Sequence, residues 1–367
     1  MRYDYSPQKC ILVNTFRNNT LNTSLSMKKL LLVIPALFIT TFLVAQTDSA
    51  QMFLKKGLLE KEKGRRMESL KNFEKAYSYN NSDKIIIAEL AAAYHDLRKY
   101  GQALEKYKQM VTLGIATTST YKQLLELSFN MRKYDDVILY ANKLKQLDNS
   151  EKVNYYIGKA HYERENYGEA IDVLNLAMKE DPKNAEVPYM IARSYGDMMN
   201  YKQSISYFEK AIALDPAKHS WYYELGLICY GMNDDKNALK YILLAGEKGY
   251  PKDNDYMENL GIAYLNSGNL TEGVKIMTEV LKRKPSDMNV LNMVAEAYYF
   301  SGKYKEAIDY WDQILYYDKK NASALYMIGM SYQKKGEKEK GVALCDKAIE
   351  MDPSLQSLKQ KKQMPGM

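Results

Sequence analysis

A chain of 367 residues with 26% charged residues and 12% aromatics is long enough for two or three ordinary domains. Its net charge of +7 is concentrated at the start. Residues 1–45 hold five basic residues and one acid, and the remainder carries 47 basic against 44 acidic residues, so the balance gives no sign of a nucleic-acid partner. Three cysteines, Cys10, Cys229 and Cys345, make neither a disulfide framework nor a metal spacing, and the compositional anomaly is 33 tyrosines.

Residues 1–26 show no helical period and read as an over-extended translation start, with Met27 the expected initiator. From Met27, two lysines (Lys28, Lys29) precede an apolar run from Leu30 to Val44 that ends at Ala45 before polar Gln46. Charge, length and small final residue predict a secretory signal over 27–45, cut at Ala45–Gln46; 15 apolar residues fall short of the roughly 20 that a membrane-spanning helix needs. Leu43, three residues before the cut, is larger than usual for such a site. No cysteine follows the run to carry a lipid.

From residue 46 to 355 the chain repeats itself every 34 residues. Gly158 aligns with Ala192, Tyr167 with Tyr201, Ala177 with Ala211 and Pro182 with Pro216. Units start near residues 50, 84, 118, 151, 185, 219, 254, 288 and 322, and a fixed period of this length marks a helical solenoid. Position 8 is small in eight units (Gly57, Ala91, Gly158, Ala192, Gly226, Gly261, Ala295, Gly329), as is position 20 (Ser69, Ala103, Ala170, Ser204, Ala238, Gly273, Ala307, Gly341). Two helices can approach closely only if both are small. Gly64, Gly268, Gly302 and Gly336 fall between the paired helices, where a left-handed turn suits glycine. Asp-Pro at 181–182, 215–216 and 352–353 falls between units, where Asp can cap and Pro can begin a helix.

These residues resemble the tetratricopeptide-repeat (TPR) family. The resemblance implies an all-α fold: a right-handed α-solenoid, or superhelix, of about nine helix-turn-helix repeats, with residues 356–367 as a C-terminal capping segment. Unit three departs most, with Leu125 and Val137 at the small positions, and looser packing is expected there. The phase slips at Gly249-Tyr250-Pro251, which suggests a kink between units six and seven. After Pro353 a last helix should bury Leu355 and Leu358 and leave Lys359, Lys361 and Lys362 to solvent.

The resemblance also implies where a partner binds. Positions 2, 5, 9 and 12 of each first helix form one stripe, flanked by 6 and 13, and in TPR superhelices this stripe lines the concave groove. Here the expected partner-binding residues are Tyr155, Tyr156, Lys159, Tyr162, Tyr189, Met190, Arg193, Tyr223, Tyr230, Met293, Tyr299, Tyr326, Met327 and Met330, with Phe300 on the same stripe. Tyrosine brings a broad apolar face with a polar tip, and methionine adapts to varied shapes. Positions 2, 5 and 9 are expected to face the groove; 6 and 12 divide between groove and packing. Tyr155, Tyr189 and Tyr223 should therefore be exposed and dispensable to the fold. The Lys and Asn set with which some family members clamp a C-terminal carboxylate is missing from consecutive units.

The sequence contains no phosphate-cradling glycine loop, zinc-protease motif or nucleophile elbow. Cys229, Cys345, Trp311 and His161 occupy core positions, and Asp135–Asp136 and Asp234–Asp235 sit at turns where caps explain them. The expected protein is a non-enzymatic scaffold without cofactor or metal, exported to the periplasm or outer membrane of a Gram-negative bacterium, holding a protein or peptide segment. The alternative is a glycan-binding or enzyme-associated envelope protein using the aromatic groove for a polysaccharide.

Overall fold

The computed structural model describes residues 48–357, so the expected signal segment, Cys10, Leu358 and the lysines after it lie outside the described residues. Among the described residues there are eighteen α-helices, one short 3-10 turn and no strand. They alternate as the first and second arms of hairpins. In order they are α1 (48–62), α2 (Arg66–Tyr79), α3 (Lys84–Asp96), α4 (Tyr100–Thr112), α5 (Thr118–Asn130) and α6 (Tyr134–Leu147). Next come α7 (Asn154–Glu163), α8 (Tyr167–Glu180), α9 (Glu186–Asp197), α10 (Tyr201–Leu214), α11 (His219–Gly231) and α12 (Asp235–Glu247). The last six are α13 (Asn254–Asn266), α14 (Leu270–Arg283), α15 (Met288–Phe300), α16 (Tyr304–Tyr317), α17 (Ala322–Lys335) and α18 (Lys338–Met351). No helix among the described residues is long and apolar enough to cross a membrane.

Some first arms begin where a side chain caps them; α7, α9 and α11 do not. Asp83, Asp253 and Asp287 accept from the amides of Ile85, Tyr256 and Val290, and Asn321 from Ala324, supplying partners for otherwise orphaned N–H groups. The turn inside each hairpin holds one left-handed residue. Gly64, Gly268, Gly302 and Gly336 take this place as expected (φ 72°, 84°, 80° and 96°), but Arg98, Arg132, Glu165, Met199 and Asn233 hold it in the other five, at φ between 55° and 61°. Tertiary packing imposes the turn even where a Cβ opposes it. Asp181 and Asp215 close the helices before them rather than cap the ones after; α9 is preceded by Ala185 and α11 by Lys218.

The small positions do what their size predicts. A Cβ on Gly226 would come within 2.7 Å of Ile242 and 3.2 Å of the Ala238 carbonyl; one on Gly329 would meet the Gly341 carbonyl at 2.7 Å. Where position 20 is serine, its buried hydroxyl donates to the position-8 carbonyl across the hairpin: Ser69 to Gly57 at 2.9 Å and Ser204 to Ala192 at 2.8 Å. The polar atom is thereby satisfied at no cost in volume.

The chain divides into two compact units, residues 1–136 and 137–367. In the first, Leu70, Phe73, Ile86, Ile87, Leu90 and Ala91 form the buried core. In the second, consecutive hairpins share one core after another. Phe208, Trp221, Leu225 and Ala238 form one, and Ile242, Ala245, Tyr256, Leu260 and Ala263 the next. That second cluster spans Gly249–Pro251, so packing runs unbroken through the phase slip where a kink was expected. Leu355 is buried against Tyr326, Cys345 and Ala348, where it closes the end of the last core. Cys229 and Cys345 are buried thiols in separate clusters. Trp311 is fully buried and donates its indole N–H to Asn292 at 2.8 Å.

Candidate partner-binding groove

The second unit places the predicted stripe on its first arms, α7, α9, α11, α13, α15 and α17, but uses it in two ways. Over α7 to α13 the tyrosine tips are engaged between neighbouring first arms. Tyr162 donates to Asp197 at 2.7 Å, Tyr189 donates to Glu224 at 2.9 Å, and Tyr223 accepts from Asn259 at 2.8 Å. In each case position 5 or 12 of one unit meets position 6 or 13 of the next. Arg193 lies over the Tyr162 ring at 5.1 Å and pairs with Glu224 at 3.8 Å, bracing the same ladder from its exposed side.

The rings are committed as well. Tyr189 stacks on Trp221 (centroids 4.7 Å apart) and Tyr223 on Tyr250 (4.3 Å). Tyr162, Met190 and Tyr223 are buried, at 8%, 3% and 8% exposure, which corrects the expectation that Tyr223 faces the groove and puts Tyr162 and Met190, at positions 12 and 6, on the packing side. Tyr155 and Tyr189 are half-buried against the core of Ile171, Leu174 and Ile191. The physical reason is the closeness of successive first arms: a ring at position 5 reaches the next arm before it reaches solvent. Burial raises the phenol pKa values, that of Tyr155 to about 12. It also pushes the Glu224 carboxyl up, against the hydrogen bond from Tyr189 and the charge of Arg193, which pull it down.

Tyr156, Lys159, Tyr299, Met327 and Met330 are half-buried; Tyr156 meets Tyr155 edge-on, and Tyr299 packs edge-on against Trp311. His161 is half-buried at its core position. Asp234 caps α12 through Asn237, and Asp136 pairs with Lys108 at 2.7 Å, so both acidic turns are structural.

Over α11, α13 and α15 the stripe opens. Tyr230 and Met293 line a cavity of about 480 Å³ together with Ile262, Leu265, Leu270, Glu296 and Phe300. Phe300 is 80% exposed and Tyr230 43%. On the other side of Glu296 lies a second cavity of about 390 Å³, lined by Asn289, Asn292, Asn321, Tyr326 and Met327. Asn292 links the two, accepting from Trp311 and donating to Glu296 at 3.0 Å. Of the predicted residues, Tyr230, Met293, Tyr326 and Met327 thus converge here. Ile262 and Leu265, at positions 9 and 12 of unit seven, line the first cavity as well; being neither Tyr nor Met, they do not stand out along the stripe in sequence. Tyr250 does not stand out either, since it lies between units. Among the described residues no group of three or more His, Cys, Asp or Glu is placed to hold a metal ion.

Comparison with known proteins agrees with the hairpin pattern. Tetratricopeptide-repeat models match residues 189–248, and also 255–287 and 322–355. The chain belongs to the tetratricopeptide-repeat family. A model of the anaphase-promoting complex, cyclosome, subunit 3 also matches this TPR chain, over residues 130–211. No curated protein matches it significantly. Among solved structures it is similar to YrrB, described as a TPR protein with an unusual peptide-binding site (19% identity, TM-score 0.43, covering 52% of this chain and 98% of that one). It is also similar to MamA (21%, 0.42, 46% and 92%) and to pilF of Pseudomonas aeruginosa (19%, 0.40, 58% and 98%).

Proposed function

We propose that this TPR protein is a non-enzymatic scaffold that holds a segment of a partner protein in the groove over α11, α13 and α15. The observation that carries the reading is the exposure of Phe300 beside Tyr230, Leu265 and Met293 around one cavity. Large aromatic and Met side chains gathered at a concavity are the anchors that interfaces use, whereas single exposed apolar residues need no explanation. The Lys28–Lys29 and Leu30–Val44 pattern supports export, so the partner is sought in the periplasm or at the outer membrane.

A second reading, a glycan partner, draws on Asn289, Asn292, Asn321 and Glu296 around the second cavity, because amides and a carboxylate beside aromatic Tyr326 can take sugar hydroxyls. Photo-cross-linking in cells separates the readings, with a benzophenone amino acid placed at Phe300 or, as control, at Tyr316, which is 79% exposed on α16. A discrete protein adduct from position 300 and none from 316 supports the protein partner. Adducts from 316 alone would remove the groove from the account, and a carbohydrate adduct at 300 would favour the glycan.

A further inference from the structure

The groove has a charge pattern that the composition of the chain conceals. The three helices that form it, α11, α13 and α15, carry Glu224, Asp255, Glu258 and Glu296 and not one lysine or arginine, although the chain after residue 45 has 47 basic against 44 acidic residues. Glu224 is answered by Arg193 at 3.8 Å. Glu258 is half-buried, its carboxyl pushed up by burial and by Asp287 against the pull of Lys284. Glu296 differs from both. It lines both cavities, and its one hydrogen bond among the described residues comes from the neutral Asn292 amide. The nearest lysine in sequence, Lys303, is turned onto the Tyr298 ring at 5.8 Å.

Resting on the reading of this groove as a protein-binding site, we propose that its partner is an extended, basic segment in which a bulky apolar residue and a lysine or arginine lie two residues apart. The apolar side chain enters beside Phe300, and the cation meets Glu296. The spacing follows from geometry. Glu296 and Phe300 are one helical turn apart on the same face, a rise of about 6 Å. In an extended peptide, side chains on one face recur every second residue, at about 6.8 Å. Adjacent residues would point to opposite faces, and only one of the two anchors would engage. Charge complementarity of this kind fixes register and excludes acidic competitors.

The test uses the full chain and fluorescein-labelled peptides built around Lys-Ser-Phe-Ser-Lys, its Glu-Ser-Phe-Ser-Glu counterpart, and Ser-Lys-Phe-Lys-Ser with the lysines adjacent to the aromatic. Fluorescence anisotropy at low salt should rank the first peptide about tenfold tighter than the other two. High salt should narrow the gap to the acidic peptide. Glu296→Gln should abolish the preference for lysine without moving the thermal midpoint, and Phe300→Ala should weaken all three. Equal binding of the three peptides, still lost in Phe300→Ala, would overturn the charge and spacing while leaving the protein-binding groove in place. Failure of every peptide to bind would overturn both, as would self-association of the chain through Phe300.

Discussion

Hairpins four to six and hairpins seven to nine place the same helical positions along one stripe, yet they spend them differently. In the earlier set, Tyr162, Tyr189 and Tyr223 have their rings packed or stacked and their hydroxyls paired with Asp197, Glu224 and Asn259 of the following arm. In the later set, position 5 is Glu258, Asn292 or Tyr326, position 12 is Leu265 or Tyr299, and Phe300 projects from position 13 with 80% exposure. A tyrosine is structural or available for binding according to the contacts it makes with the next arm, not its position alone. Where the tips of Tyr162, Tyr189 and Tyr223 meet Asp197, Glu224 and Asn259, the rings are buried or half-buried. Tyr230, at position 12, stays 43% exposed on the first cavity although Asn266 stands at position 13 of the next unit.

The largest way to break this comparison is Tyr223→Ala. It removes a buried ring that packs against both Tyr250 and Tyr256 and takes the hydroxyl partner from Asn259, and truncating a buried aromatic costs about 3 kcal/mol or more. Urea denaturation should show the loss. Gly226→Leu comes next: the added side chain would strike Ile242 and the Ala238 carbonyl, for about 2 kcal/mol by the same measurement. Met199→Gly should act in the opposite sense, stabilising by about 0.5 kcal/mol, because the left-handed turn at φ 58° costs any residue with a Cβ. Asn233→Gly should gain less, since Asn tolerates that region.

Alkaline titration sharpens the same contrast. The Tyr155, Tyr94 and Tyr241 phenols are held up to about 12 from an ordinary 10.0, chiefly by burial. The native state therefore keeps protons that the unfolded chain releases. The stability they contribute is full below about pH 10 and lost as pH climbs toward about 12. Ultraviolet titration of folded protein should show a late-ionising tyrosine class that merges with the early one in denaturant, and Tyr155→Phe should shrink it.

Much of the fold was legible because it depends on residues close in sequence. The helices α3, α5, α11, α13, α15 and α17 begin at Lys84, Thr118, His219, Asn254, Met288 and Ala322, the residues at which the 34-residue register starts those units. Left-handed turns were legible where glycine marks them and hidden at Arg98, Arg132, Glu165, Met199 and Asn233, where packing overrides local preference. The site was less legible. Position 5 looks the same in Tyr189 and Tyr223 on paper; what each ring packs against, Trp221 for one and Tyr250 for the other, lies about 30 positions away. Position alone identifies a stripe, and only contacts across units divide it into packing and groove.

The most direct test compares two triple variants by urea midpoint and uses midpoints rather than extrapolated free energies, because repeat arrays depart from two-state unfolding. One is Tyr155→Ala, Tyr189→Ala, Tyr223→Ala; the other is Tyr230→Ala, Met293→Ala, Phe300→Ala. The first should fall far below the parent, and the second should stay near it, since exposed changes usually remain within about 0.5 kcal/mol each and Met293 is only half-buried. A first variant that keeps its midpoint while the second collapses would contradict the division of the stripe.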